Sequence, residues 1–136
     1  MSRSFSLAGL LRVRSVQERE AAQQLSRAAV EARQSDARDR RLRAALGASE
    51  AMDGRALAAL AASRASGRAL LADLAILRER QQHEVHAARA LHDARRREVR
   101  GLEKLAAAHQ ERVRVDALRG EQLEIDEIAG RMTGEQ

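Results

Sequence analysis

Leucine and alanine recur along two stretches of the chain with alternating spacings of four and three residues, which is the period of a helix packed along one side. The first stripe consists of Leu7, Leu11, Arg14, Glu18, Ala21, Leu25, Ala28, Ala32, Ser35, Asp39, Leu42, Leu46 and Ser49. The second stripe consists of Leu71, Leu74, Arg78, Gln81, Val85, Ala88, His92, Arg95, Val99, Leu102, Ala106, His109 and Val113. Eight of the thirteen positions in each stripe are apolar. The pattern predicts two long amphipathic helices, and after Val113 the apolar positions shift to Leu118, Ile125, Ile128 and Met132.

The helical pattern is interrupted between Gly47 and Gly54. Gly47 is suited to a left-handed C-cap, and the Asp53 carboxylate can cap the helix that follows. Ser49 is an alternative cap, so the sequence leaves the start of the second helix undetermined by several residues. Gly67 is a second candidate break, although one glycine inside a helix costs only about 1 kcal/mol relative to alanine.

These signals predict an all-α fold, a long two-helix antiparallel coiled-coil hairpin with a longer, protruding C-terminal helix. A single domain would span 1–136, with helix 1 at about 5–47, the tip at about 48–55 and helix 2 at about 56–131. The unequal helix lengths predict that the C-terminal helix extends past the N-terminus of the chain.

The composition excludes folds with a thick core. Of 136 residues, 29 are Ala, and Leu, Ile, Val and Phe together number 28, with a single aromatic residue. The absence of Pro and the presence of only 8 Gly remove the turn residues that sheets require. With no Cys there is neither a disulfide framework nor a thiolate nucleophile. A thin, extended helical structure is what remains.

The chain is expected to be cytoplasmic. No apolar run approaches the roughly 18 residues of a membrane span. Leu7–Leu11 is too short for the apolar region of a secretory signal. Residues 1–17 contain several Ser and Arg and no acid, as mitochondrial presequences do, but the amphipathic pattern continues without a break and favours the first turns of a helix.

Charge is distributed unevenly along the chain. Residues 1–68 carry 13 basic and 7 acidic groups, whereas 69–136 carry 12 and 13. The densest basic clusters are Arg95, Arg96, Arg97 and Arg100, and Arg38, Arg40, Arg41 and Arg43. Nearby acids and the lack of interleaved aromatics indicate that both clusters are solvated helix surface. The alternatives are that they bind an acidic protein partner or nucleic acid.

No motif predicts catalysis, a cofactor or a metal. His83 and His86 flank Glu84 but lie three residues apart, whereas the zincin motif places its histidines four apart on one helix face. His92 and His109 fall on the second stripe, where neutral histidines in an alanine-lined seam are expected. There is no phosphate-binding loop, dinucleotide fingerprint or nucleophile elbow, so the chain is expected not to be an enzyme.

Both ends of the chain carry short motifs that can be compared with known families. The N-terminal residues are Phe5, Leu7, Leu10, Leu11 and Arg14, then Glu18, Ala21, Ala22 and Leu25. The C-terminal residues are Val99, Leu102, Glu103, Lys104 and Leu105, then Glu121, Gln122, Ile125, Asp126, Glu127, Ile128 and Ala129. In these motifs, in its length and in its glycine-marked break, the chain resembles the flagellar export protein FliJ family and its counterparts in virulence-type secretion systems. Family members often carry aromatics near the tip, where this chain has only leucines.

The resemblance implies a stalk or adaptor of the hexameric export ATPase, located at the cytoplasmic face of the inner membrane at the flagellar base. The ATPase would be contacted by the C-terminal residues Gln122, Ile125, Asp126, Glu127 and Ile128. The cytoplasmic domain of the membrane export gate would be contacted by Leu42, Leu46, Leu70, Leu74 and Leu77. Escort of unloaded export chaperones is a further implied role, and the chain alone would be a monomer without nucleic acid. Two rival hypotheses are a generic homodimeric coiled-coil scaffold and a basic helical protein that binds nucleic acid.

Overall fold

The structure, a computed structural model, describes residues 2–49 and 57–134, and the side chains of 6–48 and 57–134. Two helices account for all of these residues: α1, Ser2–Ser49, and α2, Leu57–Gly134. They pack against each other as an antiparallel hairpin, and α2, with 78 residues, is the longer. The all-α hairpin predicted from the sequence is therefore confirmed.

Both predicted stripes form the packed sides of the helices. Every position of the first stripe from Leu7 to Leu46 is buried or half-buried, and so is every position of the second from Leu71 to His109. Val113, the last position of the second stripe, is exposed. Since many of these positions are Ala or polar, the seam is thin, and its most buried residues are Ala21, Ser35 and Asp39. Ser49, whose side chain lies outside the described residues, completes the first stripe.

The chain divides into two compact units. The first unit comprises Met1–Gln17 and Arg95–Gln136, and the second comprises Glu18–Ala94. In the second unit Glu18 of α1 meets His92 of α2, while Asp36 meets Arg78. Residue numbers rise along α1 as they fall along α2, so the two segments are antiparallel.

The region of the predicted break differs from the expectation. Gly47 lies inside α1 and is not a left-handed cap, because no described glycine has a positive φ. Gly67, the second candidate break, is buried inside α2. The predicted tip at 48–55 overlaps α1 at its first two positions, and its remainder, with Asp53, lies outside the described residues, as does the Phe5 side chain.

The C-terminal stretch of α2 has a different environment from the rest of the helix. Up to His109 one side of α2 is half-buried at seam spacing, and Val115 is the last half-buried residue. Every side chain at 116–134 is exposed. Within the described residues no part of α1 covers this stretch, although it carries large apolar side chains.

Candidate partner-binding sites

A polar layer joins the two helices in the second unit. Arg78 of α2 donates from Nε to Asp36 Oδ1 at 2.8 Å, and its Nη1 lies 3.5 Å from Asp39 Oδ2. Asp39 is only 6% exposed and also accepts from Arg43 Nε at 3.0 Å. The same region buries Gln81 Oε1 without a hydrogen-bond partner. Asp36 has Arg40 one helical turn away on α1, but its ion pair is made across the seam with Arg78.

A second cross-helix pair connects Glu18 and His92. His92 Nε2 lies 2.9 Å from Glu18 Oε1, and both side chains are largely buried. The sequence predicted a histidine in an alanine-lined seam, and the structure places the Glu18 carboxylate opposite it. His92 thus serves to fix the pairing of the helices in this unit.

The first unit has its own cross-helix pair. Arg14 Nη1 lies 3.5 Å from Glu98 Oε2 and donates to Gln17 Oε1 at 3.0 Å. Glu98 also pairs with Arg95 at 3.3 Å. A shallow groove beside this pair is lined by Leu10, Arg14, Arg97, Glu98, Gly101, Leu102 and Leu105. The basic cluster at 95–97 is therefore partly neutralised by an acid of its own helix.

The residues predicted to contact the ATPase all lie on the exposed C-terminal stretch. Ile125 is 58% exposed and Ile128 is 56% exposed. Gln122 Nε2 donates to Asp126 Oδ1 at 3.1 Å, and Arg131 Nη2 donates to Glu127 Oε1 at 2.8 Å. These i,i+4 bonds hold the polar side chains against the helix and leave the apolar ones open. The five residues share one helical segment and are available to a partner.

A further local pair precedes this stretch. Arg114 donates to both carboxylate oxygens of Glu111, at 3.1 Å from Nε and 2.6 Å from Nη2. This bidentate hydrogen bond raises the pKa of the Arg114 guanidinium above its ordinary value. Because Glu111 balances this charge within the same turn, the pair adds little net charge beside the stretch.

The residues predicted to contact the export gate do not form one surface. Four of them, Leu42, Leu70, Leu74 and Leu77, line a groove between the helices of the second unit, which we call the leucine groove. Arg38 and Asp73 complete its lining. Leu70 is 56% exposed, and the other three leucines are half-buried. Leu46 is not part of this lining and instead packs against Gly67.

A second groove in the same unit was not predicted from the sequence. It is lined by Arg43, Leu46, Gly47, Arg64, Arg68 and Leu71, and we call it the arginine groove. One signal could have found it. The four-and-three spacing of the second stripe continues backwards from Leu71 to Gly67, Arg64 and Leu60, all of which are buried or half-buried.

The remaining candidate chemistry is dispersed. His83 and His86 are both exposed, and the described part of the chain has no group of three or more His, Cys, Asp or Glu side chains placed to hold a metal ion. Across 2–49 and 57–134, no helix is long and apolar enough to cross a membrane.

Comparisons with protein-family profiles, curated proteins and solved structures found no match to this chain. The features that bear on function are therefore the exposed stretch at 116–134, the leucine and arginine grooves and the sequence resemblance.

Proposed function

We propose that the chain is a non-enzymatic stalk or adaptor of a flagellar type III protein export apparatus. It would bind the hexameric export ATPase through its C-terminal stretch and the export gate through the leucine groove. The observation that carries this proposal is the exposure of 116–134. A long helix that keeps Leu118, Ile125 and Ile128 open to solvent at heptad spacing presents a surface for another protein.

The chemistry of the stretch suits a binding role. The final 17 residues of the chain contain five acidic groups and one basic group, Arg131. Apolar side chains supply contact area at such an interface, while acids around them steer association with a basic partner. A rod can regulate an ATPase ring without catalytic residues, because binding one conformer of the ring more tightly than another shifts its populations.

The leucine groove supports the proposed gate contact. Three half-buried leucines and the exposed Leu70 form an apolar lining, with Arg38 and Asp73 at its edge. A partner helix or loop that inserts aliphatic side chains would exclude water from this lining. The proposed location follows from the two partners, which meet at the cytoplasmic face of the inner membrane, and escort of export chaperones would be an additional role.

The charged pairs in the seam weigh against a parallel homodimeric scaffold. In such a dimer each seam residue would face its own copy, so Asp39 would meet Asp39 and Arg78 would meet Arg78. In the hairpin the same residues meet opposite charges. Like charges facing each other in a low-dielectric seam are destabilising, so the seam residues disfavour a parallel dimer.

The proposal is tested with purified export ATPase and single substitutions on the exposed stretch. Ile125→Glu places a charge on the heptad stripe and should weaken binding by about tenfold or more, with loss of ATPase stimulation. Leu123→Glu is the matched control, because Leu123 is also exposed but lies off the stripe, on the opposite side of the helix. Equal stimulation by both variants would show that the ATPase contact lies elsewhere.

A further inference from the structure

The arginine groove combines an apolar floor with a basic rim. The half-buried Leu46 of α1 and Leu71 of α2 supply the apolar floor, and the remaining lining residues are Gly47, Arg43, Arg64 and Arg68. Its cavity volume of about 330 Å³ is at the small end for pockets that bind small molecules. A groove of this kind between two helices suits the side chains of a third helix.

The groove carries an excess of positive charge. Between residues 40 and 72 the sequence contains six arginines and two acids, Glu50 and Asp53. Arg43 is paired with Asp39. Among the described residues, no carboxylate lies within ion-pair distance of Arg64 or Arg68. Two guanidinium groups are thus available to an acidic partner.

Arg64 provides a second, independent observation. Its Nε is buried and has no hydrogen-bond partner. A buried hydrogen-bond donor without an acceptor is unfavourable, because it has lost its contact with water without gaining a bond. The cost is greater when the donor belongs to a charged group. A carboxylate brought into the groove would compensate the Arg64 guanidinium, whose buried Nε has no acceptor of its own, through a charge-assisted pair with the side chain.

We propose that the arginine groove docks an acidic amphipathic helix from another protein. Leucine or isoleucine side chains of that helix would cover Leu46 and Leu71, and its glutamates or aspartates would pair with Arg64 and Arg68. The groove has no aromatic side chain on which a base could stack, and its apolar floor disfavours a phosphate backbone. The proposal rests on the groove alone and is independent of the ATPase contact.

The charge requirement can be tested with a defined probe. The probe is a fluorescently labelled synthetic helix about three heptads long, with leucine along one stripe and glutamates beside it that prevent self-pairing. Fluorescence anisotropy with the full chain should show binding, and a second peptide with glutamine in place of glutamate should bind at least about tenfold more weakly, a difference of about 1.4 kcal/mol.

Two pairs of substitutions then locate the contact. Arg64→Gln with Arg68→Gln should weaken binding of the acidic peptide by about tenfold or more. Arg96→Gln with Arg100→Gln is the matched control, because these arginines are also four residues apart on α2 but are both exposed and lie outside the groove. The control should bind as the unsubstituted chain does, and circular dichroism should show equal helicity for both variants.

A steric substitution tests the groove without changing charge. A Cβ added at Gly47 has no heavy atom within 4 Å, so Gly47→Leu can be accommodated and adds a bulky side chain at a position that lines the groove. It should abolish peptide binding while leaving helicity unchanged or higher, since leucine favours helix more than glycine does. Gly101→Leu, equally unhindered and outside the groove, should bind normally.

Three outcomes would overturn the proposal. One is equal weakening by the two arginine pairs, which would indicate attraction by overall charge. Another is normal peptide binding by the Gly47→Leu variant. The third is capture of the chain by phosphatidylglycerol vesicles, lost in the Arg64 and Arg68 variant and not displaced by the acidic peptide, which would assign the groove to a membrane surface.

Discussion

At the scale of single residues, Gly67 decides how closely the two helices approach in the second unit. A Cβ at this position would collide with the end of the Leu46 side chain and would lie 3.0 Å from Leu46 Cδ1 and 3.1 Å from Cγ. Glycine here permits the close approach of the Leu46 side chain and does not form a turn. The helix accepts its unfavourable propensity because Leu46 packs closely against this position.

The first prediction reverses the usual effect of replacing a helical glycine. Gly101 has open space around its Cβ, so Gly101→Ala should raise the free energy of unfolding by about 0.5–1 kcal/mol. Gly67→Ala should instead lower it by roughly 1 kcal/mol, because displacement of Leu46 outweighs the gain in propensity. Urea denaturation of the two variants would measure both, and stabilisation by Gly67→Ala equal to that by Gly101→Ala would contradict the close contact.

At the scale of the helices, the polar layers decide which segments pair. The pairs Arg14–Glu98, Glu18–His92 and Asp36–Arg78 each join α1 to α2 within one unit. Their contribution to stability is modest, because these side chains are partly exposed and removing charges from water costs nearly as much as pairing returns. Their contribution to specificity is larger, since a shifted register or a parallel dimer would lose all three.

The second prediction separates stability from specificity in the polar layer. Arg78→Leu leaves the buried Asp39 with Arg43 alone and should lower the free energy of unfolding by roughly 1–2 kcal/mol, less than for a fully buried pair because Arg78 is about one-third exposed. Asp39→Leu added to Arg78→Leu should recover the stability, since the seam then contains two leucines. Sedimentation should show a monomer for the unsubstituted chain and dimer formation for the double variant. A double variant less stable than Arg78→Leu would refute this account.

The packed side of each helix could be predicted from the sequence, because heptad spacing depends only on the helical period. The register of the two helices could not be predicted, because the pairs across the seam depend on the position of the turn. A slip by one heptad exchanges every partner. For this reason the contacts of Asp36 with Arg78 and of Glu18 with His92 could not be predicted. Val113 is on the second stripe but is exposed, because it lies beyond the seam. On α2 the half-buried side is continuous only up to His109.

At the scale of the whole molecule, the candidate sites belong to different units. The exposed stretch at 116–134 is part of the first unit, whereas the leucine and arginine grooves belong to the second. Each unit has its own cross-helix pairs. Substitutions on exposed side chains of one unit should therefore leave binding at the other unchanged, so the proposed ATPase and gate contacts should be separable by mutation.

The last prediction tests that separation at the leucine groove. Leu70 is 56% exposed while lining the groove, so Leu70→Glu should change the free energy of unfolding by less than about 0.5 kcal/mol. Because the new carboxylate would have to be desolvated beneath a partner, the same change should abolish binding to the cytoplasmic domain of the export gate and impair motility, while ATPase stimulation persists. Leu77 is a poorer choice for this test, since it is half-buried and its substitution would also perturb packing. Ile76→Glu is the matched control, because Ile76 is 64% exposed on the same helix and does not line the groove. Gate binding measured by calorimetry should be lost only in the Leu70 variant; if Ile76→Glu abolishes it equally, or Leu70→Glu binds normally, the gate does not dock in this groove.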